Sequence, residues 1–272
     1  MANKITVHSI VKNEDKWVWF SLMSVKDFVN EILVFDTGSQ DDTVKIIKSI
    51  KDKKIIFEEK GDVDRKGLVK LRQEQLERTK DDWILVVDGD EIWLQKAISE
   101  LRTSLDKAAP ETLGVVIRAW NLIGDIYHYH PESETYKWPY APQDYLGWAN
   151  LRVMRRDIPG FHLEGEYPLE AYCDESGTPI QNYGPKRLLF LKEKYFHTTY
   201  LKRSSSEESV LNRKGLRRLE LGETFAKNFS YPEVFYQKRP TLVSSPWVRR
   251  PLSTFIAASL TTPVKKLKRK LS

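Results

Sequence analysis

Residues 82–91 read DWILVVDGDE. Trp83 to Val87 is an unbroken apolar run, the signature of a strand covered on both faces. It ends at Asp88-Gly89-Asp90, two carboxylates two residues apart around a glycine. On a solvated turn this is a common sequence. At the end of a buried strand both carboxylates can face one ligand, and such a pair is costly without a cation beside it. Hard oxygen donors favour Mg2+ or Mn2+, and a metal-bound diphosphate is a natural partner for that cation.

The stretch before it alternates strand and helix signals. Ile5 to Val11 reads as a buried strand. Trp17, Phe20, Ser24 and Phe28 fall on one helical face. Glu31 to Asp36 is a second strand, followed by the turn Thr37-Gly38-Ser39-Gln40. Asp41 or Asp42 then caps a helix carrying Val44, Ile46, Ile47 and Ile50. Lys54 to Phe57 is a short third strand, and Leu68, Leu71 and Leu76 mark another helix. This rhythm predicts an α/β fold, a mostly parallel sheet with helices on both sides. Ligands bind such sheets beyond the carboxyl ends of the strands. Val11-Lys12-Asn13-Glu14, Asp36-Thr37-Gly38-Ser39 and Asp88-Gly89-Asp90-Glu91 should therefore converge on one edge.

Beyond residue 95 the pattern loosens. Gly114 to Trp120, Leu151 to Arg155 and Leu188 to Phe196 read as strands, and the aromatic, proline-containing stretch Tyr127 to Trp148 reads as a loop that helps to choose a second substrate. Ser205 and Glu208 form a capping box for a helix ending near Gly222. Tyr231 to Pro251 holds four prolines and reads as irregular. The expected organisation is a domain over 1–200, a helical and irregular extension over 201–248, and a basic amphipathic tail over 249–272.

The 272 residues carry a formal charge of +6, and Lys265, Lys266, Lys268, Arg269 and Lys270 supply most of it. The body is close to neutral, which argues against a nucleic-acid binder. Cys173 is the single cysteine, so neither an internal disulfide nor a cysteine zinc site is possible. No signal-peptide pattern opens the chain and no run reaches the roughly 20 apolar residues of a membrane span. A cytoplasmic protein is expected. In the tail, Leu252, Ile256, Leu260 and Val264 recur every fourth residue with Phe255 beside them, and Pro263 should interrupt or restart the helix. An apolar stripe next to a basic cluster can lie peripherally on the inner face of a membrane; a docked helix with a solvated basic end is the other reading.

ITVHSIVKNED (5–15), EILVFDTGSQDDT (31–43) and DWILVVDGDE (82–91), in that order and spacing, resemble family-2 glycosyltransferases of the GT-A fold. The resemblance is specific over residues 4–95 and weaker to Tyr200. It implies metal-dependent transfer of a sugar from a nucleotide-sugar donor to a cell-surface glycan or lipid-linked acceptor, with inversion. It places Asp36 on the base or ribose of the donor, with Val11, Asn13 and Glu14 in the same pocket, although Asp36 also suits a plain turn and Glu14 a helix N-terminus. It implies a donor contact for Arg72 and for Asp88, and Mn2+ or Mg2+ held by Asp88, Asp90 and His197. The base that deprotonates the acceptor falls in FHLEGEYPLE (161–170), with Glu166 first and Glu164 second, and Glu170 the third acid of the stretch. A nucleotidyltransferase would carry a glycine-rich basic loop where this chain has VKNED (11–15); a non-catalytic nucleotide- or glycan-binding module would keep the fold and bind without turnover.

Overall fold

Strands β1 (Ile5–Val11), β2 (Glu31–Asp36), β3 (Ile55–Glu59) and β4 (Trp83–Val86) pair in parallel in the order β3-β2-β1-β4. They belong to a computed structural model that describes residues 3–205 and 219–271. Alternate residues of these strands feed two cores. Ile5, Val7, Ile32, Val34 and Leu85 pack with Val18, Phe20 and Leu22 of α1 (Val18–Val25), Ile46 of α2 (Thr43–Ser49) and Ala97 and Leu101 of α4 (Gln95–Asp106). Ile84 and Val86 face the other way, in one core with Leu76 of α3 (Arg65–Arg78). Two-sided cover explains why β4 is apolar throughout and why β1 and β2 are buried along nearly their whole length, each fully buried aliphatic side chain contributing about 1.5–3 kcal/mol.

The helix starts follow local chemistry. Asp42 precedes α2 at the capping position but makes no side-chain cap, whereas Asp41 Oδ1 accepts from the Thr43 backbone N–H at 2.9 Å. Asp64 caps α3 by accepting from Gly67 N–H at 2.7 Å. The helix expected to carry Trp17 through Phe28 is shorter. It begins after Trp17, whose indole N–H donates to the Lys202 carbonyl, and gives way to a 3-10 turn over Lys26–Phe28.

The second half departs from a simple parallel sheet. After β5 (Glu91–Ile92) come β6 (Gly114–Ile123), β7 (Asp125–Tyr129), the one-turn helix α5 (Glu132–Thr135) and β8 (Ala149–Arg155). β9 (His162–Glu164) and β10 (Ala171–Cys173) form a hairpin beside the main sheet, and β11 (Leu188–Tyr200) and β12 (Glu223–Thr224) complete the strands. The main path runs β12-β7-β6-β8-β4-β1-β2-β3, with β8 antiparallel to both β4 and β6. β11 runs parallel to β6 and crosses over to pair antiparallel with β5. The α/β architecture is the expected one, but parallel pairing is confined to the first four strands and to β6–β11. Apolar patterning encodes burial and is silent on strand direction.

Part of Tyr127 to Trp148, expected as a loop, is therefore strand and helix. Several of its aromatics pair with neighbouring rings: Tyr129 meets Trp120 with ring centroids 4.4 Å apart, and Tyr136 meets Trp148 at 4.8 Å, while Tyr136 and Tyr140 remain exposed. Tyr231 to Pro251 is largely irregular, as expected, with one 3-10 turn at Glu233–Tyr236. Phe225, Val234, Phe235 and Val243 nonetheless join the main core, Phe235 lying edge-on to Phe20 at 5.2 Å. The helix expected from the Ser205–Glu208 box falls mainly on 206–218, outside the described residues.

The chain ends in α6 (Leu252–Leu271), which runs unbroken through Pro263, where an interruption was expected. Tertiary contacts bridge the proline. Before it, Thr262 Oγ1 accepts from Leu221 N–H at 2.9 Å and the Thr261 hydroxyl donates to the Leu219 carbonyl. After it, Arg269 Nη2 lies 2.6 Å from Glu220 Oε2 and Lys265 Nζ lies 3.6 Å from Glu220 Oε1. Among the described residues no helix is long and apolar enough to cross a membrane.

Glu220 is the electrostatic anchor of α6. Burial pushes its carboxyl up, but His130, 3.6 Å away, and Arg269 outweigh this and hold it at about 2. A folded-state value below the free value of 4.5 means stability that is complete above pH 4.5 and is lost as pH falls toward 2. Glu220→Ala should speed hydrogen exchange across 252–271 at neutral pH, and the unaltered protein should lose protection there, relative to unstructured amides at the same pH, as pH drops through that window.

Candidate active site

The register of the parallel strands assembles the site. His8 pairs with Val86 and Val11 with Asp36, so the residues after Val86 come level with the end of β1. Val11 is buried, and its carbonyl accepts from Thr37 N–H at 3.0 Å. Asn13 adopts a left-handed backbone (φ 54°), which asparagine tolerates better than most residues. Its N–H donates to Ser39 Oγ at 2.8 Å and its Oδ1 accepts from Gln40 N–H at 2.8 Å, joining the first strand-end loop to the second. Asp36 Oδ1 accepts from the N–H groups of Gly38 and Ser39, both at 3.0 Å. Asp36 Oδ2 is buried and finds no hydrogen-bond partner among the described residues. The residue therefore makes its turn with one oxygen and keeps the other as an acceptor.

Glu14 lies just before α1 and against the acidic turn. Its carbonyl accepts from Trp17 and Val18 N–H, each at 2.9 Å, which starts α1. Its buried carboxylate pairs with Arg203 through Oε1, and Oε2 finds no partner among the described residues. Gly89 lies directly on this side chain. A Cβ there would sit 2.8 Å from Glu14 Cγ and 3.1 Å from Val11 Cγ1, so the acidic turn needs glycine for close approach.

Asp88 is bracketed by two arginines. Its Oδ1 is 3.2 Å from Arg72 Nη2, projecting from α3, and its Oδ2 is 3.1 Å from Arg152 Nη2, projecting from β8. Burial pushes its carboxyl up, but Arg152 and then Arg72 outweigh it and bring the value to about 2. Arg152 also pairs with fully buried Glu91, whose carboxyl burial pushes up to about 7 against the pull of Arg152. Asp90 is buried beside them. Its Oδ2 lies 3.3 Å from His197 Nε2 and 3.5 Å from Arg203 Nε. The β5–β11 pairing, with His197 opposite Glu91, is what carries this distant histidine to the turn. Burial pulls the imidazole down, and Asp90 more than reverses that, leaving it above the ordinary histidine value.

The expected bases are not brought to this cluster. Glu164 is 55% exposed and bonds to His162 Nε2 at 2.9 Å; Glu166 is 52% exposed and faces Lys66 at 3.3 Å. Both lie on the solvent side of the hairpin segment. Glu170, the third acid of the same stretch, turns inward: its Oε1 is 3.6 Å from Arg72 Nε and its Oε2 is buried without a partner among the described residues. The sequence pattern places Glu91 at this edge without a role, and does not single out Arg152 or Arg203. Glu91 was adjacent to the acidic turn and Arg152 was a charge within a buried-looking strand, both usable signals. Arg203 carried no local signal at all.

The donors fit a small hard cation on a diphosphate. Among the described residues no three His, Cys, Asp or Glu side chains form a ready cage. Mg2+ does not ask for one, since it is usually held by one or two carboxylates plus substrate phosphates and water. Asp90 Oδ2 and His197 Nε2 lie 3.3 Å apart, so a cation bound at this turn would have both within reach. His197 Nδ1 is buried without a hydrogen-bond partner among the described residues.

The sequence profile of glycosyl transferase family 2 matches residues 6–159, more than half of the chain, and the chain belongs to that family. It is similar to the SPbeta prophage-derived glycosyltransferase SunS of Bacillus subtilis, 40% identical over 91 residues covering 33% of this chain and 20% of that protein. It is also similar to an uncharacterized glycosyltransferase of Rickettsia typhi, 33% identical over 98 residues covering 36% and 32%. A TPR repeat-containing protein of Synechococcus elongatus is 33% identical over 114 residues, 42% of this chain and 27% of that one. The chain thus matches less than a third of these relatives' own length. Among solved structures, S. aureus TarS 1–349 in complex with UDP-GlcNAc superimposes with a TM-score of 0.50 at 16% identity, covering 79% of this chain and 63% of that one. This likeness supports the GT-A type fold.

Arg152→Met should leave Glu91 buried beside Asp88 without its counter-charge. A loss of about 3–5 kcal/mol is expected in urea unfolding at neutral pH. Lys66→Met, which removes only an exposed partner of Glu166, should change stability by less than about 1 kcal/mol.

Proposed function

We propose that the chain transfers a sugar from a nucleotide-sugar donor to an acceptor hydroxyl. The observation that carries this reading is the pairing of two features on one sheet edge: an open buried acceptor at Asp36 Oδ2, and the Asp88-Gly89-Asp90 turn with His197. Asp36 binds a donor N–H or O–H of the base or ribose, in the pocket walled by Val11, Asn13 and Glu14. Asp90 and His197 hold Mn2+ or Mg2+, with Asp88 beside them. That cation supplies charge neutralisation for the departing diphosphate. The UDP-GlcNAc named in the TarS complex supports a uridine diphosphate sugar as the donor class.

The chain's own residues divide the remaining work. Arg72 and Arg152 fix the Asp88 carboxylate in its ionised form and in one orientation. Arg203, beside Asp90 and Glu14, adds positive charge where phosphate charge would arrive. Glu170 takes the proton of the acceptor hydroxyl as it attacks the anomeric carbon through an oxocarbenium-like state, and attack opposite the leaving diphosphate inverts the centre. This role moves from Glu166 and Glu164 to Glu170 because only Glu170 reaches the Arg72–Asp88 pair. The proposal keeps the cytoplasmic setting and the cell-surface glycan or lipid-linked acceptor that the family resemblance implies.

Incubation with Mn2+ and a panel of nucleotide sugars should release nucleoside diphosphate from one donor, and EDTA or Asp90→Asn should abolish the release. Glu170→Gln should lower turnover about 10²–10⁴-fold with donor affinity kept. Glu164→Gln and Glu166→Gln should stay within about threefold, as expected of exposed ion pairs. Full turnover by Glu170→Gln would rule it out as the base. Metal-dependent donor binding with no transfer to any acceptor would favour a non-catalytic module.

A further inference from the structure

Helix α6 is amphipathic in the reverse sense. A helix that merely packs on a core turns its apolar stripe inward. In α6 the docked side is small and polar: Ala258 and Thr262 are buried, and Lys265 and Arg269 reach Glu220. The outward side is apolar. Leu252, Ile256, Leu260, Val264 and Leu267, spaced by fours and a three, form one continuous stripe, with Phe255 at its edge. Leu252 is 72% exposed, Leu260 74% and Leu267 60%. The polar side is already committed to Glu220, Leu219 and Leu221, so this stripe cannot turn inward without breaking those contacts.

The charges around the stripe say what would cover it. Lys266 and Lys268 immediately flank Leu267 in sequence, which sets them about 100° to either side of it on the helix. Both are exposed, and neither makes an ion pair among the described residues. An apolar stripe whose C-terminal end is flanked on both sides by exposed ammonium groups matches an anionic lipid surface. Leucine and phenylalanine side chains enter the acyl boundary, and the lysine stems reach up to the phosphates. A second copy of the same helix would bring lysine edges against lysine edges. The polar docked side also excludes burial of the whole helix in the bilayer core.

We propose that α6 docks the protein on an anionic phospholipid surface, lying in the plane of the interface with the Leu252–Leu267 stripe inserted and Lys266 and Lys268 on headgroup phosphates. The inference rests on α6 alone and stands or falls independently of the transferase reading.

Flotation of the full chain with vesicles tests it. The protein should float with vesicles of equal parts phosphatidylcholine and phosphatidylglycerol, and should stay behind with phosphatidylcholine alone. Leu260→Glu, and separately the double variant Lys266→Glu with Lys268→Glu, should each cut the bound fraction about tenfold. These side chains face solvent, so thermal unfolding should be unchanged, which separates lost docking from lost folding. Failure of the unaltered protein to float on the anionic vesicles would overturn the proposal, as would equal flotation of Leu260→Glu. A dimer in light scattering that Leu260→Glu dissociates, with no lipid binding, would assign the stripe to a second copy and overturn it equally.

Discussion

The Asp88 carboxylate held between Arg72 and Arg152 is the interaction on which the site depends. Asp36, Asp88, Asp90, Glu91, Glu14 and Glu170 all come to the region of one sheet edge, most of them buried. Buried carboxylates without counter-charges would either take up protons or force the edge apart. Arg72 comes from α3, Arg152 from β8 and Arg203 from the segment after β11. The neutralising charges thus arrive from three parts of the chain, and the edge reaches balance only when both halves of the domain have come together. Because removing one member of such a network leaves its partner buried and unpaired, the cluster also locks β8 against β4.

Close approach sets the shape of the site around that charge balance. The missing side chain of Gly89 lets the acidic turn rest on Glu14, and Asn13 in its left-handed conformation ties the first loop to the second. The acidic turn is therefore carried by the sheet itself and is not free to follow a mobile loop. A rigid platform of this kind suits the placing of a diphosphate and an acceptor oxygen in line. Glu170 turns inward from the hairpin segment beside the sheet and meets Arg72 at the same edge.

The far edge of the molecule is organised on a different principle. There the strongest contacts of α6 are polar, gathered on Glu220, and its apolar surface is left outward. The aromatic cluster of Trp120, Phe196, Phe225, Phe229 and Phe235 supplies the packing that α6 does not, joining the irregular segment 225–247 to the sheet. The described C-terminal region thus joins the core through Phe225, Val234, Phe235 and Val243, and the helix beyond it turns an apolar stripe to solvent.

The sequence alone determined the elements whose signals are local. Ile5–Val11, Glu31–Asp36 and the acidic turn after Trp83–Val87 were legible because two-sided burial demands continuous apolar runs and strand ends demand turn residues. That placed Asp36, Asp88 and Asp90 on one edge, and the amphipathic tail was visible in its four-residue spacing. Tertiary structure decided the rest. Strand direction in the second half, the passage of α6 through Pro263 and the inward placement of Glu170 beside exposed Glu164 and Glu166 depend on long-range contacts that spacing does not encode. His197 was suggested by family resemblance, yet its approach to Asp90 depends on the β5–β11 pairing. Arg203 illustrates the limit: nothing near it in sequence distinguishes it from other surface arginines, and only the folded chain sets its guanidinium between Glu14 and Asp90, where buried negative charge gives it a partner.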